Sequence, residues 1–451
     1  MKQIVIIGNG IAGITAARHI RKQSDFKILV ISSESAHFYS RTALMYVYMG
    51  HMKLEHTKPY EDWFWKKNRI DLLQDRVLAI DPDHKSLTLE NHPPLSYDSL
   101  IIATGSTPQF YGWPGQELRG VQGLYSQQDL ASLEQYAPHA KECKRAVVVG
   151  GGLIGVELAE MLHSRHIPVT FLVRETHFWN GVLPQENAQL ISKHILSKGI
   201  DLRTETSLVE IIGEDGKVTA VRTDQGETIP CNLVGITTGV RPNIDFLKGS
   251  PLALDKGVLV NAYLETNLPD VYAIGDCAQQ QEPMPGRRAI EAVWYTGRMM
   301  GETLAQTICG QRRPYRPGHW FNSAKFFDIE YQTYGAVPSA RENTKEVSLF
   351  HWEHPDKALA LSLAYHSQSE QFLGVNSFGM RLRHELVDRW LSEKKSLSYV
   401  LAHWADANFD PEFYRSYHHE IVKAYTHQTG QQIQLQKKSW KRIFNLQSKK
   451  T

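Results

Sequence analysis

The apolar positions of the chain fall into short unbroken runs separated by glycines and alanine-rich stretches. Residues 3–7 read Gln-Ile-Val-Ile-Ile, and glycines follow at once before the alanine-rich residues 14–22. An unbroken apolar run of this length is typical of a strand buried in a parallel sheet, and the stretch after it has helical composition. The next apolar run, 27–31, predicts a second strand of the same sheet.

The same order of elements returns in the middle of the chain. Residues 145–149 predict a strand, 150–155 are rich in glycine, 156–164 predict a helix and 169–173 predict a further strand. Two such units imply parallel sheets with helices on their faces. At 451 residues, the chain has room for about three domains of ordinary size.

The first glycine run has the spacing Gly-x-Gly-x-x-Gly. In a strand-to-helix turn, the first glycine permits the tight turn, the second lets the backbone approach a pyrophosphate, and the third lets helix and strand pack closely. The N-terminus of the helix adds free N–H groups and a positive dipole end. An acid after the second strand can accept the ribose hydroxyls. The predicted residues of this site are Gly8, Gly10, Ala12, Gly13 and Glu34.

The second glycine run repeats the arrangement and predicts a separate dinucleotide site. Its candidate residues are Gly150, Gly152, Ile154 and Gly155. The predicted fold class is therefore α/β with two Rossmann-like dinucleotide-binding domains.

A third motif, residues 266–276, ends a predicted strand in Gly275-Asp276. Here the chain resembles the two-dinucleotide-binding flavoproteins, the glutathione-reductase-like pyridine nucleotide oxidoreductases. The resemblance implies that this stretch closes an FAD site and that Asp276 binds the ribityl chain; the plainer alternative is a strand-end turn. Residues 100–105 match the family's other FAD signature, and 239–243 match its return crossover. These motifs add Ala103, Thr104, Gly105 and Gly239 to the predicted cofactor contacts.

The resemblance implies a domain order in which the second dinucleotide domain is inserted in the first. We expect a discontinuous FAD-binding domain at 1–117 and 237–318, with the NAD(P)-binding domain at 118–236. Residues 319–451 are expected to form an α+β interface domain with a helical extension and a basic tail. In many relatives this domain pairs subunits, which implies a homodimer. Within it, helices are predicted over 381–390 and 413–425.

The segment expected beside the flavin has no cysteine. Disulfide-using members of the family need a cysteine there. In the alignment with the single-cysteine branch, Thr42 occupies the position of that cysteine. A threonine hydroxyl forms neither a thiolate nor a sulfenic acid. Tyr39-Ser40-Arg41 instead resembles the disulfide-free branch, which holds the rubredoxin and ferredoxin reductases and the flavin part of NADH-dependent nitrite reductase. By that match Arg41 contacts the flavin or its phosphates. Cys277, next to Asp276, is the alternative redox group, although a small residue there also suits packing.

Glu157, at the start of the second predicted helix, is the candidate catalytic residue, as an orienting group for the nicotinamide ring. A charge favoured by the helix dipole is the alternative. Several members of the branch pair this glutamate with a lysine, but Met45 or Tyr46 occupies that place here. Lys53 is a possible substitute.

Two further residues bear on the cofactors. Arg174 follows the predicted strand 169–173, where a guanidinium can pair with a 2′-phosphate, so it favours NADPH. Glu175 comes next and would repel that phosphate, so NADH stays open as the alternative. Residues 289–297 resemble the last FAD helix of the family, in which Trp294 covers the flavin ring or lies in the core.

The composition of the chain limits the classes of partner that it is expected to bind. Fifty Lys and Arg against 48 Asp and Glu give a net charge of +2, which provides no field for nucleic acid. The four cysteines lie too far apart in sequence for a Cys-x-x-Cys redox or metal motif, and no metal site is predicted.

No apolar run is long enough to span a bilayer, which argues for a cytoplasmic protein. The tail 437–450 is basic and could contact an acidic carrier or an anionic membrane surface, or be a solvated terminus.

These features together predict an FAD-dependent NAD(P)H oxidoreductase that passes electrons to a separate acceptor, a small redox protein or a quinone. Two alternatives remain at the level of sequence. One is an NAD(P)H oxidase that reduces oxygen directly, and the other is a flavin-based redox sensor like apoptosis-inducing factor.

Overall fold

The computed structural model describes residues 1–342, 345–409 and 415–435. The basic tail at 437–450 and the first residues of the helix expected at 413–425 lie outside the described residues. The backbone divides into two compact units. One comprises residues 1–179 and 192–318, and the other comprises residues 180–191 and those from 319 onward.

The helices are α1 Ile11–Gln23, α2 Leu44–Tyr48, α3 Asp62–Lys67, α4 Gln127–Tyr136, α5 Leu153–Ser164, α6 Gln185–Ser197, α7 Trp294–Ile308, α8 His384–Ser392, α9 Leu397–Ala402 and α10 His418–Thr429. Short 3-10 turns are Arg41–Ala43, Leu54–Thr57, Asp245–Leu247, Gly275–Cys277 and Trp404–Ala407.

The strands before α6 are β1 Gln3–Ile7, β2 Lys27–Ser32, β3 Ile70–Gln74, β4 Val77–Asp81, β5 Ser86–Leu89, β6 Leu95–Ser96, β7 Ser99–Ile102, β8 Ser106–Pro108, β9 Val121–Gln122, β10 Ala146–Val149 and β11 Val169–Leu172. Those after α6 are β12 Asp201–Arg203, β13 Leu208–Glu214, β14 Lys217–Thr223, β15 Thr228–Pro230, β16 Leu233–Ile236, β17 Val240–Pro242, β18 Val258–Val260, β19 Val271–Ala273, β20 Ala278–Gln280, β21 Phe321–Phe326, β22 Ile329–Gly335, β23 Val347–Glu353, β24 Ala360–His366 and β25 Phe372–Phe378.

The first unit holds two five-stranded parallel sheets. Their strand orders are β19-β7-β1-β2-β3 and β12-β11-β10-β16-β9. In each sheet the middle strand, β1 or β10, leads directly into a glycine loop, and its neighbours on both sides run parallel to it. The strand order reverses beside these middle strands, and a crevice at such a point is where open α/β sheets bind ligands. The predicted α/β class with two Rossmann-like units is confirmed.

Close helix packing holds the first glycine loop in place. α1 packs along α7, and a Cβ at Gly301 would lie only 2.6 Å from the carbonyl oxygen of Ala12. Glycine at this crossing lets the two backbones approach more closely than side chains would allow. The core beneath is apolar and fully buried, with Ile4, Ile14 and Leu304 among its members.

The second unit is built on an antiparallel sheet, in the order β21-β22-β25-β24-β23. Its core contains Phe350, Phe372, Trp390 and Tyr425. The ring of Tyr425, in α10, meets the ring of Phe350, in β23, edge-on at 5.1 Å between centroids. The helix predicted over 381–390 is observed as α8, but it begins three residues later, at His384, and ends at Ser392.

The helix expected over 289–297 is wrong in its first part, because α7 begins only at Trp294. The carboxylate of Glu291 accepts hydrogen bonds from the Arg287 guanidinium and from the backbone N–H of Arg288, and this bends the chain. Val293 then has an extended backbone at φ −136° and ψ 136°. Side-chain hydrogen bonding to the local backbone has displaced the helix start by five residues.

Candidate functional site

The first glycine loop has the shape that a dinucleotide needs. A Cβ at Gly8, whose φ is +115°, would lie 2.1 Å from the carbonyl oxygen of Ala103, and one at Gly13 would lie 2.1 Å from that of Gly8. Around a Cβ at Gly10, in contrast, no atom of the described protein lies within 4 Å. Gly10 precedes α1 and offers no side-chain cap. An open cradle at an uncapped helix N-terminus suits a phosphate. Ala12 lies in the same first turn, beside Gly275.

Glu34 lies at the end of β2, inside a cluster that closes around its carboxylate. Arg41 donates to both carboxylate oxygens, at 2.6 and 3.2 Å, and the Tyr39 hydroxyl and the Gln127 backbone N–H also donate to it. Burial works against ionisation, but the hydrogen bonds and charge of Arg41 outweigh it, and the pKa of Glu34 lies below its ordinary value. Glu34 and Arg41, predicted from separate motifs, are thus brought together.

Tyr125 connects this cluster to the strand ends. The Arg41 guanidinium lies 4.1 Å from the centroid of the Tyr125 ring and donates to its backbone carbonyl. The Tyr125 hydroxyl accepts the backbone N–H of Ser106 at 3.0 Å. Neither Tyr125 nor Ser106 was among the residues predicted from sequence, because no motif marks them and their partners are distant along the chain.

Asp276 lies just after β19, where the first sheet meets the glycine loop. The Ser106 hydroxyl donates to its carboxylate at 2.9 Å. Burial raises the pKa of Asp276 above its ordinary value, against the effect of this hydrogen bond and of the Arg41 charge. A carboxylate has about four acceptor positions, so this largely desolvated group can accept further hydrogen bonds.

The remaining predicted residues of the FAD side lie around a backbone crossover. The Thr104 hydroxyl donates to the carbonyl oxygen of Asn243 at 2.8 Å, and the Asn243 N–H donates to that of Gly105 at 2.9 Å. The carbonyl of Gly239, at φ +117°, accepts the N–H of Gln109 at 3.0 Å. These bonds join the segment that follows β7 to the one that follows β16.

Thr42 and Cys277 are the two residues on which the expectation of no redox-active cysteine depends. The Thr42 hydroxyl lies in the 3-10 turn after Ser40, 3.3 Å from the Ser40 hydroxyl. Cys277 is fully buried, with its sulfur 3.3 Å from the carbonyl oxygen of Ile274. Burial raises the pKa of the Cys277 thiol, which keeps it protonated and unreactive. Trp294, partly buried at the first position of α7, packs edge-on against Tyr295.

The second glycine loop repeats the geometry of the first. A Cβ at Gly150, at φ +116°, would lie 2.6 Å from the carbonyl oxygen of Thr237, and one at Gly155 would lie 2.3 Å from that of Gly150. A Cβ at Gly152 has no described atom within 4 Å, as at Gly10. Gly152 precedes α5 without a side-chain cap, and Ile154 lies in the first turn of that helix.

Glu157 lies in the first turns of α5, three residues before Glu160. Burial raises the pKa of the Glu157 carboxyl to about 7, and the Glu160 charge adds to the effect. Lys53, the suggested substitute for the lysine of relatives, is largely exposed and lies 3.8 Å from Glu55. Within the described ranges, no cation lies at ion-pair distance from Glu157. A glutamate in this setting can carry a proton at neutral pH.

Arg174 lies beyond the end of β11, on the surface beside the second cradle. Its side chain is 74% exposed and its Nε donates to the Glu175 carboxylate at 3.0 Å. The guanidinium is accessible to an anion, and the adjacent carboxylate offsets part of its charge. The structure thus contains both groups on which the sequence interpretation of nucleotide preference depends.

The described part of the chain has neither a metal-binding cluster nor a membrane-spanning helix. No group of three or more His, Cys, Asp or Glu side chains there could hold a metal ion. No helix there has both the length and the apolar character needed to cross a membrane.

Comparisons with known proteins agree with this geometry. The chain is 30% identical over 312 residues to the assimilatory nitrate reductase electron transfer subunit of Bacillus subtilis, covering 68% of this chain and 39% of that protein. It is 31% identical over 341 residues to an NADH oxidase of Methanocaldococcus jannaschii, covering 72% of this chain and 74% of that one. Its fold matches the reductase in a putidaredoxin reductase–putidaredoxin complex with a TM-score of 0.74 at 22% identity, covering 94% and 98% of the two chains.

The chain spans about two fifths of the length of the Bacillus subtilis subunit, so the activity of that whole protein does not transfer directly. The family model for pyridine nucleotide-disulphide oxidoreductases matches residues 2–295. This match includes both glycine loops, the Gly275-Asp276 turn and the segment around Arg41. The chain therefore belongs to the pyridine nucleotide-disulphide oxidoreductase family, whose members are oxidoreductases that bind FAD and NAD(P)H.

Proposed function

We propose that the protein takes electrons from NADPH or NADH through FAD and passes them to a separate acceptor, a small redox protein or a quinone, without a redox-active cysteine. The observation that carries the proposal is the pair of open glycine cradles at Gly10 and Gly152, combined with Thr42 where the single-cysteine branch has its thiol. Two adjacent nucleotide sites are what direct hydride transfer between a nicotinamide and a flavin requires. Without a cysteine beside the flavin, the reduced flavin passes its electrons to the acceptor with no sulfur intermediate.

The first cradle fits FAD, because the space over Gly10 is open while Gly8 and Gly13 admit no side chain. Its holding residues are the Gly8–Gly13 loop for the pyrophosphate, Glu34 for the ribose, Arg41 for the phosphates or ring, and Asp276 for the ribityl chain. When bound, FAD supplies the capacity to accept a hydride and release its electrons one at a time. The protein's part is to bind and orient both nucleotides and to exclude water from between them.

The second cradle takes the nicotinamide nucleotide. The Gly150–Gly155 loop holds its pyrophosphate and Arg174 pairs with a 2′-phosphate, so NADPH is the preferred donor. Glu157 orients the nicotinamide ring from the first turns of α5. In this proposal residues 1–117 and 237–318 form the FAD domain, 118–236 form the nicotinamide domain, and residues from 319 onward pair two subunits.

Two of the comparisons support a separate acceptor. The Bacillus subtilis relative is named as an electron transfer subunit, and the matched reductase fold was solved with the small redox protein putidaredoxin. A specific observation also favours a second candidate, direct reduction of oxygen, because the Methanocaldococcus jannaschii relative is named as an NADH oxidase.

Matched glycine variants test the two nucleotide sites. Gly10→Ala and Gly152→Ala each place a methyl group in open space at a negative φ, so the fold should tolerate both. Because the methyl enters the space meant for a pyrophosphate, Gly10→Ala should reduce FAD retention, and Gly152→Ala should raise the KM for the nicotinamide nucleotide, each by about tenfold. Each variant is the control for the other. Equal effects of both variants on both ligands would contradict the assignment.

Steady-state turnover distinguishes the acceptors. NADPH and NADH oxidation should be slow under oxygen-free conditions without an acceptor and fast when ferricyanide or a small iron–sulfur protein is added. Nucleotide consumption matched by oxygen uptake would instead support the oxidase. Slow turnover with every acceptor and a long-lived reduced protein would support a redox sensor.

A further inference from the structure

The guanidinium of Arg165 joins three separate segments of the first unit. Its Nε donates to the carbonyl oxygen of Tyr48 at 2.9 Å, and its two terminal nitrogens each donate to the Glu134 carboxylate at 2.6 Å. A second carbonyl oxygen, that of Pro138, accepts from a terminal nitrogen of Arg165 at 3.0 Å. The plane of Arg165 also stacks on the Tyr48 ring, with 3.6 Å between the guanidinium carbon and the ring centroid.

The partners of Arg165 are themselves fixed. Tyr48 is fully buried, and its hydroxyl donates to the carbonyl oxygen of Ala137. The Arg165 side chain is only 21% exposed, whereas that of its partner Glu134 is 42% exposed. A planar fork with five donors can hold carbonyl and carboxylate acceptors and an aromatic face at once, which a lysine cannot do.

The contacts of Arg165 lie between the helices that follow the two predicted cofactor segments. Tyr48 is the last residue of α2, which follows directly on the Arg41–Ala43 turn. Arg165 follows the last residue of α5, the helix that begins at the second glycine loop and carries Glu157. α2 packs against both α4 and α5. One guanidinium therefore fixes the helix behind the flavin segment to the helix behind the nicotinamide cradle.

We propose that Arg165 is a positioning residue for hydride transfer, holding α2 and α5 in the register that sets the distance between the two bound nucleotides. The inference rests on the proposed function. Displacement by about 1 Å of groups remote from the chemistry can cost about a hundredfold in rate, whereas nucleotide affinity depends on the two cradles themselves. Loss of Arg165 should therefore lower the rate of flavin reduction with little change in KM.

The test uses FAD-loaded full-length protein and three variants. Arg165→Lys keeps the charge but loses the stack and the shared carbonyl acceptors. Glu134→Gln keeps the contacts to Tyr48 and weakens the ion pair. The matched control is Arg222→Lys, which alters the ion pair with Glu210 on the β13–β14 hairpin. Measurements are the rate of flavin reduction without oxygen, the long-wavelength absorbance of the nucleotide–flavin complex, and deuterium exchange of amides in α2.

Arg165→Lys should slow flavin reduction by about tenfold, weaken the complex absorbance and speed exchange in α2, with KM changed by less than about twofold. Glu134→Gln should give smaller changes in the same direction, and Arg222→Lys none. If Arg165→Lys lowers the melting temperature but leaves the rate of flavin reduction and the complex absorbance as in the wild type, the ion pair is merely structural. That result would overturn the inference. A wild-type protein that neither nucleotide reduces would contradict the proposed function instead.

Discussion

Arg41 donates a hydrogen bond of 2.6 Å to the carboxylate of Glu34, and this ion pair connects the end of β2 to the turn that precedes α2. The sequence marks the two residues by different signals, an acid after a second strand and an arginine in a family segment. Their contact shows that the acid proposed to accept the ribose hydroxyls and the arginine proposed to contact the flavin belong to one cluster, which Tyr39 and Tyr125 complete.

Glu34→Gln should weaken FAD binding. The amide keeps the shape of the side chain but loses the charge that binds Arg41, and one of its two acceptor positions becomes a donor. Hydrogen bonds to charged groups contribute about 1.5–3 kcal/mol, so the Kd for FAD should rise by about tenfold or more. Recovery of flavin fluorescence on dilution measures the change. Glu210→Gln, which loses its pair with Arg222 on a surface hairpin, is the control. Unchanged FAD affinity in Glu34→Gln would exclude the ribose role.

The parts of the site that were predictable from sequence are those fixed by backbone sterics. Gly8 and Gly150 lie at positive φ with a carbonyl within 2.7 Å of any added Cβ, so only glycine satisfies both loops and the motif is visible in the chain. The parts that were missed depend on distant contacts. Arg165 bonds residues 27, 31 and 117 positions away, and nothing in its local sequence marks it.

The start of α7 shows a second limit of sequence reasoning. Residues 289–293 have a composition compatible with a helix, but Glu291 is held by Arg287 and Arg288 in a buried ion pair and turn. Both side chains of the Arg287–Glu291 pair are at most 5% exposed. A buried local ion pair and turn have thus overridden helix propensity, which is only a weak prior.

The nucleotide preference should depend on Arg174 and Glu175 in opposite directions. Arg174→Gln removes the guanidinium proposed to pair with a 2′-phosphate, so the KM for NADPH should rise by about tenfold while that for NADH stays unchanged. Glu175→Gln removes the carboxylate that Arg174 now binds at 3.0 Å, so the preference for NADPH should increase. The KM values for both nucleotides measure this. Arg203→Gln, at the end of β12 and paired with Asp201, is the control. Equal effects of Arg174→Gln on both nucleotides would contradict the assignment.

Glu157 should give the protein a pH-dependent stability. Its pKa in the fold is about 7, above the ordinary value of 4.5, because of burial and the Glu160 charge. A raised pKa means that the folded state binds the proton more tightly than the unfolded state does. The contribution of this proton to the free energy of unfolding is therefore complete below the ordinary pKa and is lost as the pH rises through about 7. The loss lowers the free energy of unfolding by up to about 3 kcal/mol.

Glu157→Gln should therefore match the wild type in acid and melt at a higher temperature above about pH 8. Thermal melting of the FAD-loaded protein across this range measures the difference. In the proposed role the same variant should also flatten any pH dependence of flavin reduction near neutrality. A wild type and variant whose melting temperatures run parallel at all pH values would show that Glu157 does not titrate in this range.

Electron transfer should be independent of every thiol in the chain. Cys143, Cys231 and Cys277 are buried, and burial raises the pKa of each thiol, so none is a thiolate near neutral pH. Cys309 is partly exposed, and burial raises its pKa as well. Thiolates, not thiols, attack disulfides and peroxides. Cys277→Ser keeps a donor for the carbonyl of Ile274, so the rate of acceptor reduction should stay within about twofold of the wild type. Cys309→Ser is the control away from the Gly275-Asp276 turn, and it should behave in the same way. Alkylation of the native protein with a maleimide should likewise leave the rate unchanged. Loss of activity in Cys277→Ser with FAD still bound would show that sulfur takes part in the reaction, and the assignment to direct flavin transfer would then be wrong.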